Sequence, residues 1–239
     1  MPVVGAARGG SPRRKRAPSP NLVAEKRRGP LVMPGGTALF IVGNDVGNDE
    51  GNVEAALVAG ELACPPCGGQ LRPWGHARER TARLVGGTER HRPRRGRCRG
   101  CLRTTVLLAE RFLARRVDSA EVVGEALLAR AKGASQSTVA SLVGRARETV
   151  RNWVAAFSAL AEALRRHFTS WALALDPTLH EVASRGSAFA DALEALGLAA
   201  QAASLALGPK PAWSWASQMT RGGLVSTAAC NTNWPAPPG

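Results

Sequence analysis

Two pairs of thiols carry the chemistry most legible in this chain. The first is Cys64-Pro65-Pro66-Cys67 and the second is Cys98-Arg99-Gly100-Cys101. Two intervening residues let a tight knuckle aim both sulfurs at one ion. Gly68 and Gly100 suit such knuckles because glycine adopts positive φ without steric cost. Two knuckles supply four thiolates, the tetrahedral set of one structural Zn2+ at Cys64, Cys67, Cys98 and Cys101. A site of four thiolates is closed, so its metal holds the fold and does no chemistry. Two alternatives stay open on the residues alone. A redox dithiol wants a low-pKa cysteine opening a helix, whereas Gly68-Gly69 and a Pro-containing, β-like run follow Cys67. Disulfides want an oxidising compartment, and no secretory signal is visible. His76 and His91 lie between the pairs as spare donors, and Cys230 stands alone.

The 30 residues between Cys67 and Cys98 exceed the commonest zinc spacings. They suffice for a short antiparallel sheet between the knuckles, which makes the module a zinc ribbon. Residues 70–74, 78–85 and 90–97 read as strands, with Gly86-Gly87 as a hairpin turn. Residues 102–108 are a β-branched run able to join the same sheet. Upstream, residues 39–42 read as a short strand and 53–60 as two helical turns. Between them, residues 43–52 resemble a calcium loop in composition only. Gly47 and Glu50 fall where an oxygen ligand and the required glycine belong, so a loop is expected.

Charge narrows the class of partner. The 239 residues carry a formal charge of +14. Residues 64–116 hold 14 basic and 3 acidic side chains, and residues 1–30 hold 8 and 1. Residues 31–63 are net acidic and the remainder is almost balanced. A basic block within a folded module is the electrostatic footprint of a polyanion binder, most often nucleic acid. Codon bias accounts for arginine over lysine, but not for so few acids among the strands. Arg94 and Arg95 are expected to meet phosphate on a basic sheet face. Residues 1–36 lack apolar periodicity and read as a disordered basic arm, adding phosphate affinity or representing an over-long start. No run of 18 strongly apolar residues occurs, and residues 195–209 are too short to span a bilayer. The expected protein is soluble and cytoplasmic.

From Asp118 the period becomes helical. Asp118-Ser119-Ala120-Glu121 fits a capping box, and Val122, Val123, Ala126, Leu127 and Ala131 make an apolar face up to Gly133. Residues 136–153 then read as helix-turn-helix. A first helix is expected over 137–143, with Ala140 at the helix crossing and Gly144 in the turn. Val139, Leu142, Val150 and Trp153 are expected to lock the pair together. The second helix starts near Arg147. Its exposed Arg147, Glu148, Thr149, Arg151 and Asn152 would face a major groove, while Arg145 in the turn would meet phosphate. The apolar spacing continues to Leu175, and Asp176-Pro177 ends it. That stripe needs cover. Either a C-terminal helix over 187–207 supplies it, which is the favoured reading, or a second copy pairs along residues 149–175 as a homodimer.

The order of ribbon, Arg-rich strands and helix-turn-helix resembles the N-terminal region of insertion-sequence transposases. It is closer still to a family of short zinc-ribbon and helix-turn-helix proteins from high-GC bacteria. The likeness covers residues 53–176. It is carried by Cys64-Pro65-Pro66-Cys67-Gly68-Gly69, Trp74-Gly75-His76, Arg97-Cys98-Arg99-Gly100-Cys101 and Glu148-Thr149-Val150-Arg151-Asn152-Trp153. In the transposases this region binds terminal repeats while a separate core does strand transfer, so the resemblance implies double-stranded DNA as partner. It does not imply catalysis. Asp176, Glu181, Asp191 and Glu194 lie on helical or linker sequence, without the strands that would gather carboxylates around two metals.

The expected fold class is α+β: a small antiparallel zinc ribbon followed by an all-α domain. The expected layout is a disordered basic arm at 1–36, a linker with a short helix at 37–63 and the ribbon at 64–116. The helix-turn-helix with its extended recognition helix follows at 117–176, then a C-terminal helical segment at 177–208 and a tail at 209–239. The expected role is non-enzymatic, sequence-preferring DNA binding in regulation or in a mobile element. The alternatives are a truncated or accessory transposase subunit, or a zinc-ribbon module that binds protein or RNA.

Overall fold

The computed structural model describes Met1 and residues 38–42, 50–226 and 234–237. The chain divides into two units, Met1–Gly36 and Thr37–Gly239, and all that follows concerns the second. The expectations for the arm, for residues 43–49 and for Cys230 fall outside the described residues.

The unit is α+β. Strand β1 (Ala38–Val42) and helix α1 (Glu50–Ala59) come first. Five strands follow: β2 (Leu71–His76), β3 (Arg80–Leu84), β4 (Gly87–His91), β5 (Arg94–Cys98) and β6 (Thr104–Ala109). The helices α2 (Ala120–Ala131), α3 (Gln136–Val143), α4 (Arg147–Leu175), α5 (Ala188–Leu207) and α6 (Ala212–Met219) complete it. One sheet has the order β1-β6-β5-β2, and β3 and β4 form a separate hairpin. The β2–β5 and β5–β6 pairs are antiparallel, as expected, and β1 adds a parallel edge to β6.

The stretch read as one strand over 90–97 is two strands. Pro93 separates them, since proline has no N–H for a ladder, and its carbonyl accepts from the Ala77 N–H at 2.7 Å. Antiparallel pairing of β2 with β5 therefore ends there, and the chain between them projects as the hairpin. Gly86 supplies the positive φ (78°) at the hairpin tip.

Helix α1 covers one face of the sheet. Ala56, Leu57 and Leu62 pack with Leu71, Leu107, Cys64 and Cys98 in a small core. Gly96 lies under Leu57, where an added Cβ would sit 3.2 Å from the Leu57 Cδ2. The segment read as a linker is thus part of the sheet's packing.

The larger core lies among α2 to α6. Val123, Ala126, Leu127, Val139, Trp153, Phe157, Leu164 and Phe168 are buried there together. Helix α5 lays Ala192, Leu196, Ala199 and Ala203 into the same core. The apolar stripe of α4 is therefore covered from within the chain by α5, the intrachain partner favoured above. By length and composition alone α5 is long and apolar enough to cross a bilayer, contrary to the expectation for this stretch. Its buried face belongs to the core of the described unit.

Residues 209–239 are not simply a tail. Trp215, Ala216, Met219, Leu224 and Val225 are buried in the helical core. The Trp215 Nε1–H donates to Ser204 Oγ at 2.9 Å. Trp213 fills the space above Gly124, where an added Cβ would come within 2.0 Å of its ring. The Trp171 indole N–H reaches the Pro235 carbonyl at 3.2 Å. These contacts join residues far apart in sequence, so apolar periodicity could not disclose them.

Candidate metal centre and nucleic-acid interface

The sheet brings the two knuckles together because β2 leaves the first and β5 enters the second, with Leu71 opposite Cys98 in the register. All four Sγ atoms lie within 4.8 Å of one another. Cys64 Sγ is 3.6 Å from Cys101 Sγ, and Cys67 Sγ is 3.5 Å from Cys98 Sγ. Four sulfurs about 2.3 Å from one tetrahedral ion stand roughly 3.8 Å apart, so the donor set fits a metal. A disulfide needs about 2.05 Å, and these cysteines are free. Among the described residues no other group of three or more His, Cys, Asp or Glu side chains is gathered this way. His76 and His91 are not members.

The knuckles are built alike. A positive φ follows the second cysteine of each, at Gly68 (70°) and at Leu102 (59°). Gly100, expected to take that conformation, does not. It donates its N–H to Cys98 Sγ at 3.3 Å, and Cys101 donates at 3.4 Å. Gly69 makes room for sulfur, since a Cβ there would stand 3.0 Å from Cys98 Sγ. The thiols are electrostatically unequal. The Cys101 N–H, helped by the neighbouring Cys67 thiol and Gly100 N–H, lowers the Cys98 pKa to about 6, while burial first of all pushes Cys64 up. A cation bound between them would favour all four thiolates.

Helices α2, α3 and α4 arise from local signals. Ser119, rather than Asp118, caps α2, its Oγ accepting from the Val122 N–H at 3.3 Å. Ser135 caps α3 through Thr138 N–H at 3.1 Å. Gly144 ends α3 with φ 62°, the left-handed conformation expected of it. Val139, Ala140, Val143, Val150 and Trp153 are buried between the helices. Leu142, expected among them, is 62% exposed and Val143 takes its place. A helical turn of 100° sends adjacent residues to different faces, and here the inward one is the later of the two.

The residues expected to touch DNA divide into two groups. Arg147, Glu148, Arg151 and Asn152 are exposed on the first turns of α4, and Thr149 is half-buried beside them. Arg151 donates to Glu148 at 2.6 Å, both well exposed. Arg145 is not free for phosphate. Its Nε–H meets Asp118 at 2.5 Å and its side chain is largely buried. Arg94 is 11% exposed, ion-paired to Glu54 and donating to the Gly75 carbonyl at 2.7 Å. Arg95 is half-buried with its Nε enclosed. The sheet's arginines therefore do not form one free basic face.

Two features had no sequence signal. Asp118 is buried and shared, taking Arg83 of β3 at 2.8 Å as well as Arg145. On the sheet face opposite α1, Trp74 is 52% exposed and carries the Arg97 guanidinium 4.4 Å above its ring. Both depend on residues from different elements meeting. Comparison with family models, curated proteins and solved structures finds no match to this chain.

Proposed function

We propose that this chain is a sequence-preferring DNA-binding protein of the cytoplasm, in which a structural zinc ribbon is joined to a helix-turn-helix. The observation that carries this reading is the α3–Gly144–α4 unit, whose second helix opens with exposed Arg147, Arg151 and Asn152 above a locked apolar crossing. Arginine suits guanine edges and asparagine suits adenine edges in a major groove. The Zn2+ would be held by Cys64, Cys67, Cys98 and Cys101, and its role would be to fix the two knuckles. The excess of arginine over residues 64–116 supports a polyanion as partner.

Selection of duplexes from a random library by the zinc-loaded full chain, followed by fluorescence anisotropy over a range of salt, tests the reading. The expected result is an enriched motif whose affinity falls steeply with salt. Asn152→Ala or Arg151→Ala relaxes the motif, at a cost of about 1–3 kcal/mol for each lost base contact. Absence of any enriched motif, with binding insensitive to salt, would overturn it. Arg94→Ala is expected to act through stability, since its partner is Glu54.

A further inference from the structure

We propose that the β3–β4 hairpin is a second DNA-contacting element, lying along the phosphate backbone beside the groove entered by α4. This rests on the DNA-binding reading above. Three observations carry it.

The hairpin is fastened to the turn between α3 and α4. Asp118, 5% exposed, is gripped from one side by Arg83 of the hairpin and from the other by Arg145 of the turn. The backbone repeats the link. The Arg83 N–H donates to the Val117 carbonyl at 2.8 Å, and the Ser119 N–H donates to the Arg83 carbonyl at 3.0 Å. Two guanidiniums on one carboxylate leave the junction net positive. A loop held this firmly is preorganised, so its ordering cost is already met before binding.

The hairpin presents charge on the side facing the turn. Arg83 pairs across the strands with Thr88, and Thr81 pairs with Arg90. Side chains alternate along a strand, so these four share one face. It is the face on which Arg83 reaches Asp118. Arg90 is 80% exposed there, and its nearest acid, Glu79, is 4.0 Å away and itself well exposed. Such a pair is weak in water and exchanges readily for phosphate. Glu89 belongs to the opposite face, where it is paired with Arg111.

The shape is that of a blade beside a groove. A cleft of about 420 Å³ separates the hairpin tip from α3, lined by Val85, Thr88, Glu125, Ser141, Leu142 and Gly144. Glu125 is half-buried in its wall, so an anion would run over the rim, past Thr88, Ser141 and Arg90, rather than inside. The tip is narrow, with open space around Gly86 and Gly87.

The long spacing between the cysteine pairs then has a use. The two legs β2 and β5 run from the knuckles to the hairpin, so a bound metal would anchor the far end of a DNA-facing blade.

Hydroxyl-radical footprinting on a duplex selected by the zinc-loaded full chain tests this, with Arg90→Glu and Asn152→Ala compared. Circular dichroism establishes that each variant is folded. The wild type is expected to protect a backbone segment flanking the selected motif. Arg90→Glu should lose that flank, bind on the order of tenfold more weakly near 0.1 M salt, and lower the salt slope by about one, with the motif unchanged. Retention of flank and affinity by Arg90→Glu, while Asn152→Ala still alters the motif, would overturn the hairpin's role and leave the DNA-binding reading intact. A wild type that selects no motif and protects no DNA would remove both.

Discussion

The sheet half and the helical half are held together by different physics. In the sheet half, five apolar side chains and two cysteines make the core where α1 meets the sheet, namely Ala56, Leu57, Leu62, Leu71, Leu107, Cys64 and Cys98. In the helical half, α2 to α6 bury Trp153, Trp215, Phe157, Phe168, Leu127, Leu164 and Met219, with many alanines between them. A core of a few residues stabilises little against chain entropy, and small modules of this kind usually borrow a metal. The helical core needs none. The contrast teaches that a metal would be structural for one half and immaterial to the other, and that stability passes between them through contacts such as Leu113 in the helical core and the Ser217 bond to the Phe112 carbonyl at 2.7 Å. Others are the shared Asp118 and the buried ion pair of Glu110 with Lys210.

The largest expected effect is metal removal. Structural Zn2+ in small folds is worth on the order of 10 kcal/mol. Chelation, or Cys98→Ser, should therefore unfold the sheet half while the helical circular dichroism survives. Zinc content of one ion per chain, with two separate thermal transitions after chelation, is the outcome to look for. A single transition unmoved by chelator would erase the contrast.

Next is the helical core. Trp153→Ala removes a fully buried indole where α4 crosses α3 and should cost about 3–5 kcal/mol. Zinc content and the sheet half's own transition are expected to persist. Joint loss of both halves would mean that the two cores fold as one.

Asp118→Asn sharpens the comparison at the junction. It leaves the largely buried Arg145 without its counter-ion, a loss of about 3 kcal/mol by analogy with broken buried pairs. Calorimetry should show the two transitions drawing apart, since the link between hairpin and helix turn has been weakened.

The smallest effect is on pH. Burial lowers the His167 pKa below its ordinary 6.5, against the opposing bond to the Met219 carbonyl at 2.9 Å. The unfolded imidazole takes up a proton as pH drops below about 6.5, while the folded one resists. Stability is thus full above that pH and declines as pH falls towards the folded value. His167→Gln keeps an amide donor near Met219 and removes the titration. Between pH 7 and 5.5 the wild type should lose roughly a few degrees more in Tm than the variant.

Much of this molecule was legible from local signals. The cysteine spacing, the glycine at the end of α3 and the 3.6-residue period of α4 act over a few neighbouring residues, and the structure keeps them, while the capping box read at Asp118 gives way to a cap at Ser119, one residue on. The tertiary structure decided what local signals cannot carry. Arg94 and Arg145 look like their neighbours in sequence, yet each meets a carboxylate from another element and is withdrawn from the surface. Leu142 and Val143 are equivalent by composition, and only the helix crossing chose between them. Residues 209–239 lack periodicity, yet Trp213 and Trp215 complete the helical core because Gly124 and Ser204 leave them space and a partner. Charge and burial are set by what arrives from elsewhere in the chain. The residue types at the candidate site were therefore determined by sequence, and which of them stay free for a partner was determined by packing.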